Sequence, residues 1–435
     1  MATFTVIQTP TSPNAAYTRL PYVVEASDFT LEPQFEYVMD VYISGSANRL
    51  SRQTQEPNPA GNAVFDPSRI FQGNLSNDNN WDVPFYDTGS SSGSQAINTV
   101  KDFTLEFGKQ YSTSTTGSVV VYPNLAREQI TVFQGIVEPN GSSFNWSSSS
   151  LQTNSILSNC PQAQLTSPYN RIGPDTSLYI AQQDYHTITV LDSPSSYMRV
   201  TVKNFESGSI HVQDIGGLPS GQFTTYGIGP QNLIEYGGAL AAAITGSNWD
   251  NIEIGIDAGS SGNTFLPKYN LTKKSQALQG RTPVTAPCTD EYTRFAFINN
   301  YGFWDYYSVW APLRKESKVK RENVVLPRVD YSSATSPYKI TQRGMKQYYN
   351  SRDDEYTIDT DYLTRTTATW LEELIESPAV HVWQEDKGWV PIIITNSSYR
   401  ANTNTARQKL YNYTIDFRPA NKNTQIGITT SIDLD

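Results

Sequence analysis

The chain has 435 residues, of which 17% are charged and 12% are aromatic, and its net charge is −10 from 32 basic and 42 acidic side chains. This aromatic content excludes a disordered chain, and the negative net charge argues against nucleic acid as a direct partner. No apolar run reaches the ~18 residues of a membrane span, so we expect no membrane contact. At ~150 residues per domain, the length predicts two to four domains.

The amino terminus and the cysteines bear on where the protein is made. Met1–Pro10 has no basic residue before an apolar block, so we expect no secretory signal peptide and synthesis in the cytoplasm. Cys160 and Cys288 are too few for a disulfide framework or a thiolate zinc site. They form either one bridge or two free thiols, and we expect no metal and no other cofactor.

Alternation with a period of two dominates the sequence and predicts strands. In residues 35–43 the odd positions are apolar, while Glu36 and Asp40 face the other way, which predicts a strand with one solvent-exposed side. The fold class we predict is mostly β, with two or three β-sandwich or barrel-like modules and a few short helices. Similar runs occupy residues 130–137, 186–191, 197–205, 252–256, 292–298, 356–360, 380–384, 390–395 and 410–417.

Few segments have helical periodicity. The clearest is 364–377, with Trp370, Leu371 and Leu374 on one stripe, and short helices are predicted after Asp66 and over 237–244. Polar stretches at 142–159 and 259–280 resemble joints. They predict an N-terminal module over 1–140, a middle β module over 141–285 and a C-terminal module over 286–435.

The search for catalytic residues yields weak candidates, and we predict no enzymatic activity. Ser91 is central in a Gly-Ser-Ser-Ser-Gly run, but neither a strand before it nor a helix after it is evident. His186, His211 and His381 have no metal-binding spacing, and we interpret each as a sheet-surface residue. Asp359 and Asp361 share a strand face and could hold Ca²⁺, although a solvated strand end is the simpler interpretation.

Two surfaces are candidate interfaces. Residues 314–352 contain ten basic and three acidic side chains, which suits docking onto an acidic neighbour or, equally, a solvated face. Residues 295–310 are dense in aromatic side chains, which are either buried on both sides or offer a protein interface or sugar-stacking platform. The predicted interface residues are Arg314, Lys315, Lys318, Lys320, Arg321, Trp304, Tyr306 and Trp310.

Several motifs resemble a known family. Residues 297–307 (FINNYGFWDYY) resemble a hairpin of virion structural proteins of tailed bacteriophages, especially of crAss-like phages and other phages of Bacteroidetes hosts. The succession 368–383, 389–399 and 410–417 is similar to the closing module of those tail-associated proteins. Residues 35–43, 57–61 and 64–70 resemble their opening module. The resemblance covers about half of the chain.

The resemblance implies a structural component of a virion. The protein would be a ring-forming subunit of the neck, tail or baseplate that contacts copies of itself and other virion proteins. A second hypothesis is a receptor- or glycan-binding tail spike or adhesin that holds a host surface glycan on its aromatic residues. A third is a glycan-degrading enzyme, which requires two facing carboxylates ~5–10 Å apart.

Overall fold

The structure is a computed structural model that describes residues 3–10, 12–76, 94–95, 97–112, 119–135, 177–191, 197–216, 223–246, 249–257, 268–273, 292–299, 302–325, 345–360, 363, 365–384, 387–396 and 412–420. The predicted joint at 142–159, most of the joint at 259–280, Ser91 and both cysteines lie outside the described residues.

The chain divides into two compact units. The first holds residues 1–286 together with Phe297–Tyr306, and the second holds Pro287–Ala296 together with Tyr307–Asp435. The three-module division remains a prediction.

Among the described residues of the first unit up to residue 273, the elements are strands and three short helices. In chain order they are β1 Phe4–Gln8, β2 Asn14–Ala15, β3 Tyr22–Ala26, β4 Glu36–Ile43, β5 Arg49–Gln55, β6 Asn62–Phe65, α1 Ser68–Asn74, β7 Ser94–Gln95, β8 Val100–Ser112, β9 Val119–Phe133, β10 Ser177–Ile180, β11 Thr187–Leu191, β12 Tyr197–Lys203, β13 Ile210–Gly216, β14 Phe223–Gly227, α2 Pro230–Tyr236, α3 Gly238–Thr245, β15 Asn251–Asp257 and β16 Lys268–Lys273.

Two sheets form a β-sandwich at the start of the first unit. Their strand orders are β1-β3-β6 and β2-β9-β8-β4-β5. Both sheets contribute to one core, in which the ring centroid of Phe107 on β8 lies 5.4 Å from that of Tyr22 on β3 and 6.2 Å from that of Phe65 on β6. Burial of each such side chain contributes about 1.5–3 kcal/mol, so this core supports both sheets.

Strand β4 differs from the prediction at Asp40. The alternation is as predicted, but the side predicted to meet solvent is covered, and Asp40 is 0% exposed. The covering groups come from β5, where Arg52 Nε and Nη2 donate to the Asp40 carboxylate at 2.7 and 2.5 Å and Arg49 Nη1 lies at 3.4 Å. Alternation gives the side on which a residue lies, whereas the long side chains of the next strand decide its burial.

Two more sheets are described in the first unit. Their orders are β11-β14-β7 and β10-β16-β15-β12-β13. The predicted helix at 237–244 is confirmed as α3, which lies against β12 and β13. Helix α2 was not predicted, although Pro230 at its first position is a typical start signal.

The elements from Thr293 onward build one large sheet. They are β17 Thr293–Ile298, β18 Trp304–Val309, β19 Arg314–Val325, β20 Met345–Asp359, α4 Arg365–Glu376, β21 Val380–Gln384, β22 Gly388–Ile394 and β23 Thr414–Pro419. The strand order is β18-β17-β21-β22-β23-β20-β19. The predicted helix at 364–377 is confirmed as α4, and the mostly-β fold class is confirmed as well.

Candidate functional site

The aromatic residues predicted to form an interface lie inside the protein. Trp304, Tyr306 and Trp310 are 7%, 2% and 9% exposed, so the prediction that they offer an outward surface is wrong. The physical reason is that both sides of the β17–β18 hairpin are covered, and every residue of β17 is buried. Alternation alone cannot distinguish a half-exposed strand from one that is covered on both sides. Trp146 lies outside the described residues.

Specific contacts hold these buried side chains. In the first unit, the Tyr306 hydroxyl lies 2.7 Å from Thr187 Oγ1, and its ring centroid lies 4.8 Å from that of His186. In the second unit, Trp310 stacks on Tyr292 with 4.3 Å between ring centroids. The aromatic segment therefore stabilises the fold.

The turn of this hairpin consists of the residues that carry the phage-like motif. Asn299 N–H donates to Phe303 O at 2.8 Å, Gly302 N–H donates to Asn299 O at 2.9 Å, and Asn299 Nδ2 donates to Asp305 Oδ1 at 3.1 Å. Gly302 has φ of +82°, and a Cβ atom there would lie 1.4 Å from Gln134 O. The motif thus specifies a tight turn packed against backbone, for which only glycine fits.

The exposed candidate is a long ribbon made of β19 and β20. Strand β20 pairs with β23 only through Tyr356–Asp359, whereas it pairs with β19 from Thr357 opposite Arg314 to Met345 opposite Val325. Within the described residues, no third strand pairs with the rest of the ribbon. About ten residues at ~3.3 Å each give this two-stranded part a length of ~33 Å.

Ion pairs join the two strands where the ribbon leaves the sheet. Because antiparallel pairing places basic side chains of β19 beside acidic ones of β20, opposite charges meet across the strands. Exposed pairs of this kind contribute about 0–1 kcal/mol each, so they favour one register more than they stabilise the fold. The pairs are Lys315 with Asp354 at 3.0 Å, Lys318 with Glu355 at 2.5 Å, and Arg314 with Asp359.

Asp354 lies at the centre of a small network. Its carboxylate accepts hydrogen bonds from Ser317 Oγ at 2.6 Å, Arg352 Nε at 2.7 Å and Lys315 Nζ at 3.0 Å. The Ser317 hydroxyl, and after it Lys315 and Arg352, hold the pKa of Asp354 well below its usual range. This network therefore contributes its full stabilisation of the folded state when the pH is above ~3.9, the ordinary pKa of Asp. That stabilisation is lost as the pH falls through the lowered pKa of Asp354.

The charge of the ribbon is more balanced than the sequence window suggested. The predicted interface residues of β19 are all exposed. However, β19 and β20 together carry seven basic and six acidic side chains, because β20 extends past residue 352 into an acidic run. The base of the ribbon is thus not a free basic strip. The acidic residues that the window missed are Asp353, Asp354, Glu355 and Asp359, while Arg328, Lys339 and Arg343 lie outside the described residues.

In the far half of the ribbon, the basic side chains of β19 are no longer opposite carboxylates of β20. Lys320 is opposite Ser351 and Arg321 is opposite Asn350, so neither faces a carboxylate of β20. Among the described residues, the acidic neighbour of Lys320 is Glu322 on the same strand, with 3.7 Å between Nζ and Oε1. This half of the ribbon therefore carries its positive charge outward.

Apolar side chains lie at the same end. Val324, Val325 and Met345 are 42%, 69% and 60% exposed. These three residues were not predicted to form a surface, because no apolar–polar alternation marks a strand as charged as β19. One sequence signal could have predicted the pairing of β19 with β20. The acidic run Asp353–Glu355 follows a basic run by some 35 residues, and such opposite charges are typical of two strands that pair antiparallel.

The remaining candidates do not form a site. The Asp359 carboxylate is engaged by Arg314 and by Thr414 Oγ1 at 2.6 Å, and Asp361 lies outside the described residues. In the part of the chain that the structure describes, no three His, Cys, Asp or Glu residues are grouped to hold a metal ion. No helix in that part is long and apolar enough to cross a membrane.

The histidines occupy three different environments. His211 is exposed on β13, whereas His186 is 3% exposed, so the prediction of a sheet-surface residue is wrong for His186. His186 precedes β11, and its backbone N–H donates to Asn232 Oδ1 at 2.9 Å. His381 on β21 is half-buried, and burial lowers its pKa.

Comparisons with known proteins assign no family. No protein-family profile matches the chain, and no curated protein matches it. One solved structure, the crystal structure of calcium binding domain CBD12 of CALX1.1, aligns over 57% of this chain and 75% of its own at 6% identity, with a TM-score of 0.17. A TM-score this low supports no assignment of fold or function.

Proposed function

We propose that the chain is a structural subunit of a tailed-phage virion. It forms a ring in the neck, tail or baseplate, and the β19–β20 ribbon contacts a neighbouring subunit. The observation that carries this proposal is the ribbon, whose strand β19 is exposed along its length and has no partner on its outer edge among the described strands. The motifs at 297–307 and in the closing module supply the resemblance to virion proteins.

The physics of a two-stranded ribbon supports an assembly role. Two strands alone are marginally stable in water, and an unpaired edge is a template for another chain. Contact with a neighbour covers the edge and the apolar far end. Closure into a ring then adds stability, because each further contact forms at high effective concentration.

No observation favours the glycan-binding alternative. Its predicted stacking platform included Trp304 and Trp310, and both are buried.

Two measurements test the proposal. Mass spectrometry of purified particles of the phage that encodes the chain is expected to find it in stoichiometric amounts relative to known tail proteins. Light scattering of the purified chain after size exclusion is expected to give discrete multiples of 48.5 kDa. A chain that is absent from particles and strictly monomeric contradicts the proposal.

A further inference from the structure

We infer that the far end of the ribbon binds the acidic first unit of a second copy of this chain. This inference rests on the proposed function and names the contact that builds the ring. The contact region consists of Lys320 and Val324 on one face of the ribbon, Arg321 and Val325 on the other, and Met345 on β20, and we call it the ribbon tip.

The ribbon tip has the composition of a contact surface. Its apolar members are exposed in the isolated chain. Removing them from water on contact with a partner favours association. Residues 319–325 and 345–351 contain three basic side chains and one acidic one, so the segment is +2. An acidic surface with an apolar patch therefore fits it.

The chain itself supplies an acidic partner, its first unit. The first unit contains 14 basic and 24 acidic residues, which gives −10, and the second contains 18 of each, which gives 0. The whole net charge of −10 thus belongs to the first unit. Opposite potentials of this size accelerate encounter and exclude misoriented partners.

Charge also selects the symmetry of the contact. An isologous contact of two ribbon tips would place Lys320 and Arg321 of one copy beside the same residues of the other, and like charges repel. A ribbon tip on the first unit of the next copy pairs opposite charges instead. When this contact is not reciprocated between the same two copies, each copy keeps one unoccupied ribbon tip or one unoccupied first unit, and repetition of the contact produces a ring or a filament.

The decisive experiment is zero-length carbodiimide cross-linking of an equimolar mixture of ¹⁵N-labelled and unlabelled full-length chain. Mixed-isotope cross-links report contacts between copies only. We expect Lys320 to be joined to Asp or Glu residues of the first unit. Mixed cross-links from Lys320 to another ribbon, or multimers without mixed cross-links from Lys320, overturn the inference.

Charge reversal gives a second readout. We expect Lys320→Glu with Arg321→Glu to raise the concentration at which half of the chain is multimeric by at least about tenfold, since attraction becomes repulsion. Raising NaCl from 50 to 500 mM should weaken the wild-type multimer in the same direction, because the Debye length shortens. Multimer formation that these changes leave unaltered contradicts the inference.

Two variants control for damage to the ribbon and for a general charge effect. Exchanging Lys318→Glu with Glu355→Lys retains an ion pair between the strands, and we expect wild-type assembly. Lys387→Glu removes an exposed cation that directly precedes β22 and is not part of the ribbon, and we expect wild-type assembly there too. A loss of assembly in either variant equal to that of the double reversal contradicts the inference.

The inference and the proposed function fail in different ways. If the chain is present in particles but changes at the ribbon tip do not affect its multimers, the inference alone is refuted. If the chain is absent from particles, the proposed function is refuted.

Discussion

The turn at Gly302 permits a quantitative test of how the β17–β18 hairpin is held. Alanine at φ of +82° adopts the left-handed region, which costs about 1–2 kcal/mol. Its Cβ would also lie 1.4 Å from Gln134 O, so backbone must move. Overpacking of that kind costs about 1–3 kcal/mol or more. We therefore expect Gly302→Ala to lower the free energy of unfolding by about 2–5 kcal/mol.

Gly45 provides the matched control, because its φ is +83° and a Cβ atom there meets nothing within 4 Å. Gly45→Ala isolates the backbone cost of about 1–2 kcal/mol. At roughly 2 °C per kcal/mol for a unit of this size, thermal unfolding should show a Tm decrease of about 4–10 °C for Gly302→Ala and about 2–4 °C for Gly45→Ala. Equal decreases in the two variants would refute the packing of the turn against Gln134.

Three further predictions concern single side chains. The Tyr37 hydroxyl accepts a hydrogen bond from Ala26 N–H at 2.9 Å and donates one to Gly61 O at 2.5 Å. We therefore expect Tyr37→Phe to lower the free energy of unfolding by denaturant by about 1–3 kcal/mol. The control Tyr22→Phe, which loses no hydrogen bond among the described residues, should lower it by less than half of that. Asp40→Asn leaves Arg52 and Arg49 without their buried carboxylate. We expect it to lower the free energy of unfolding by about 2–3 kcal/mol, less than is usual for a broken buried ion pair because both arginines are partly exposed. A decrease under about 0.5 kcal/mol contradicts the buried ion pair. Burial lowers the pKa of His381, so on acidification His381 is protonated in the unfolded chain before it is protonated in the folded chain. The free energy of unfolding should therefore fall as the pH drops below ~6.5, and His381→Gln should reduce this pH dependence. Identical pH profiles of the wild type and the variant contradict the prediction.

Much of the fold follows from the sequence by simple patterning. Strand β4 alternates as predicted, and α4 has the predicted stripe, with Trp370, Leu371 and Leu374 at most 1% exposed. Burial was harder to predict, since it depends on groups distant in sequence. Asp40 is covered by β5, and no local pattern reports this.

The candidate site was predicted in part. The sequence marked the basic residues of β19. A composition window could not show that Lys315 and Lys318 form ion pairs with carboxylates of β20, whereas Lys320 and Arg321 are not opposite any carboxylate of β20. That distinction depends on register, which places Lys318 near Glu355 and Lys320 opposite Ser351. The interface role predicted for Trp304 was wrong because the burial of this side chain is set by parts of the chain that are distant in sequence.

A cryo-electron microscopy reconstruction of the phage particle, with this chain traced in its density, tests the assembly role of the ribbon most directly. We expect the ribbon tip, residues 320–325 together with Met345, to be covered by the acidic first unit of a neighbouring copy. Ribbons that extend into solvent in every copy would contradict the role assigned to them.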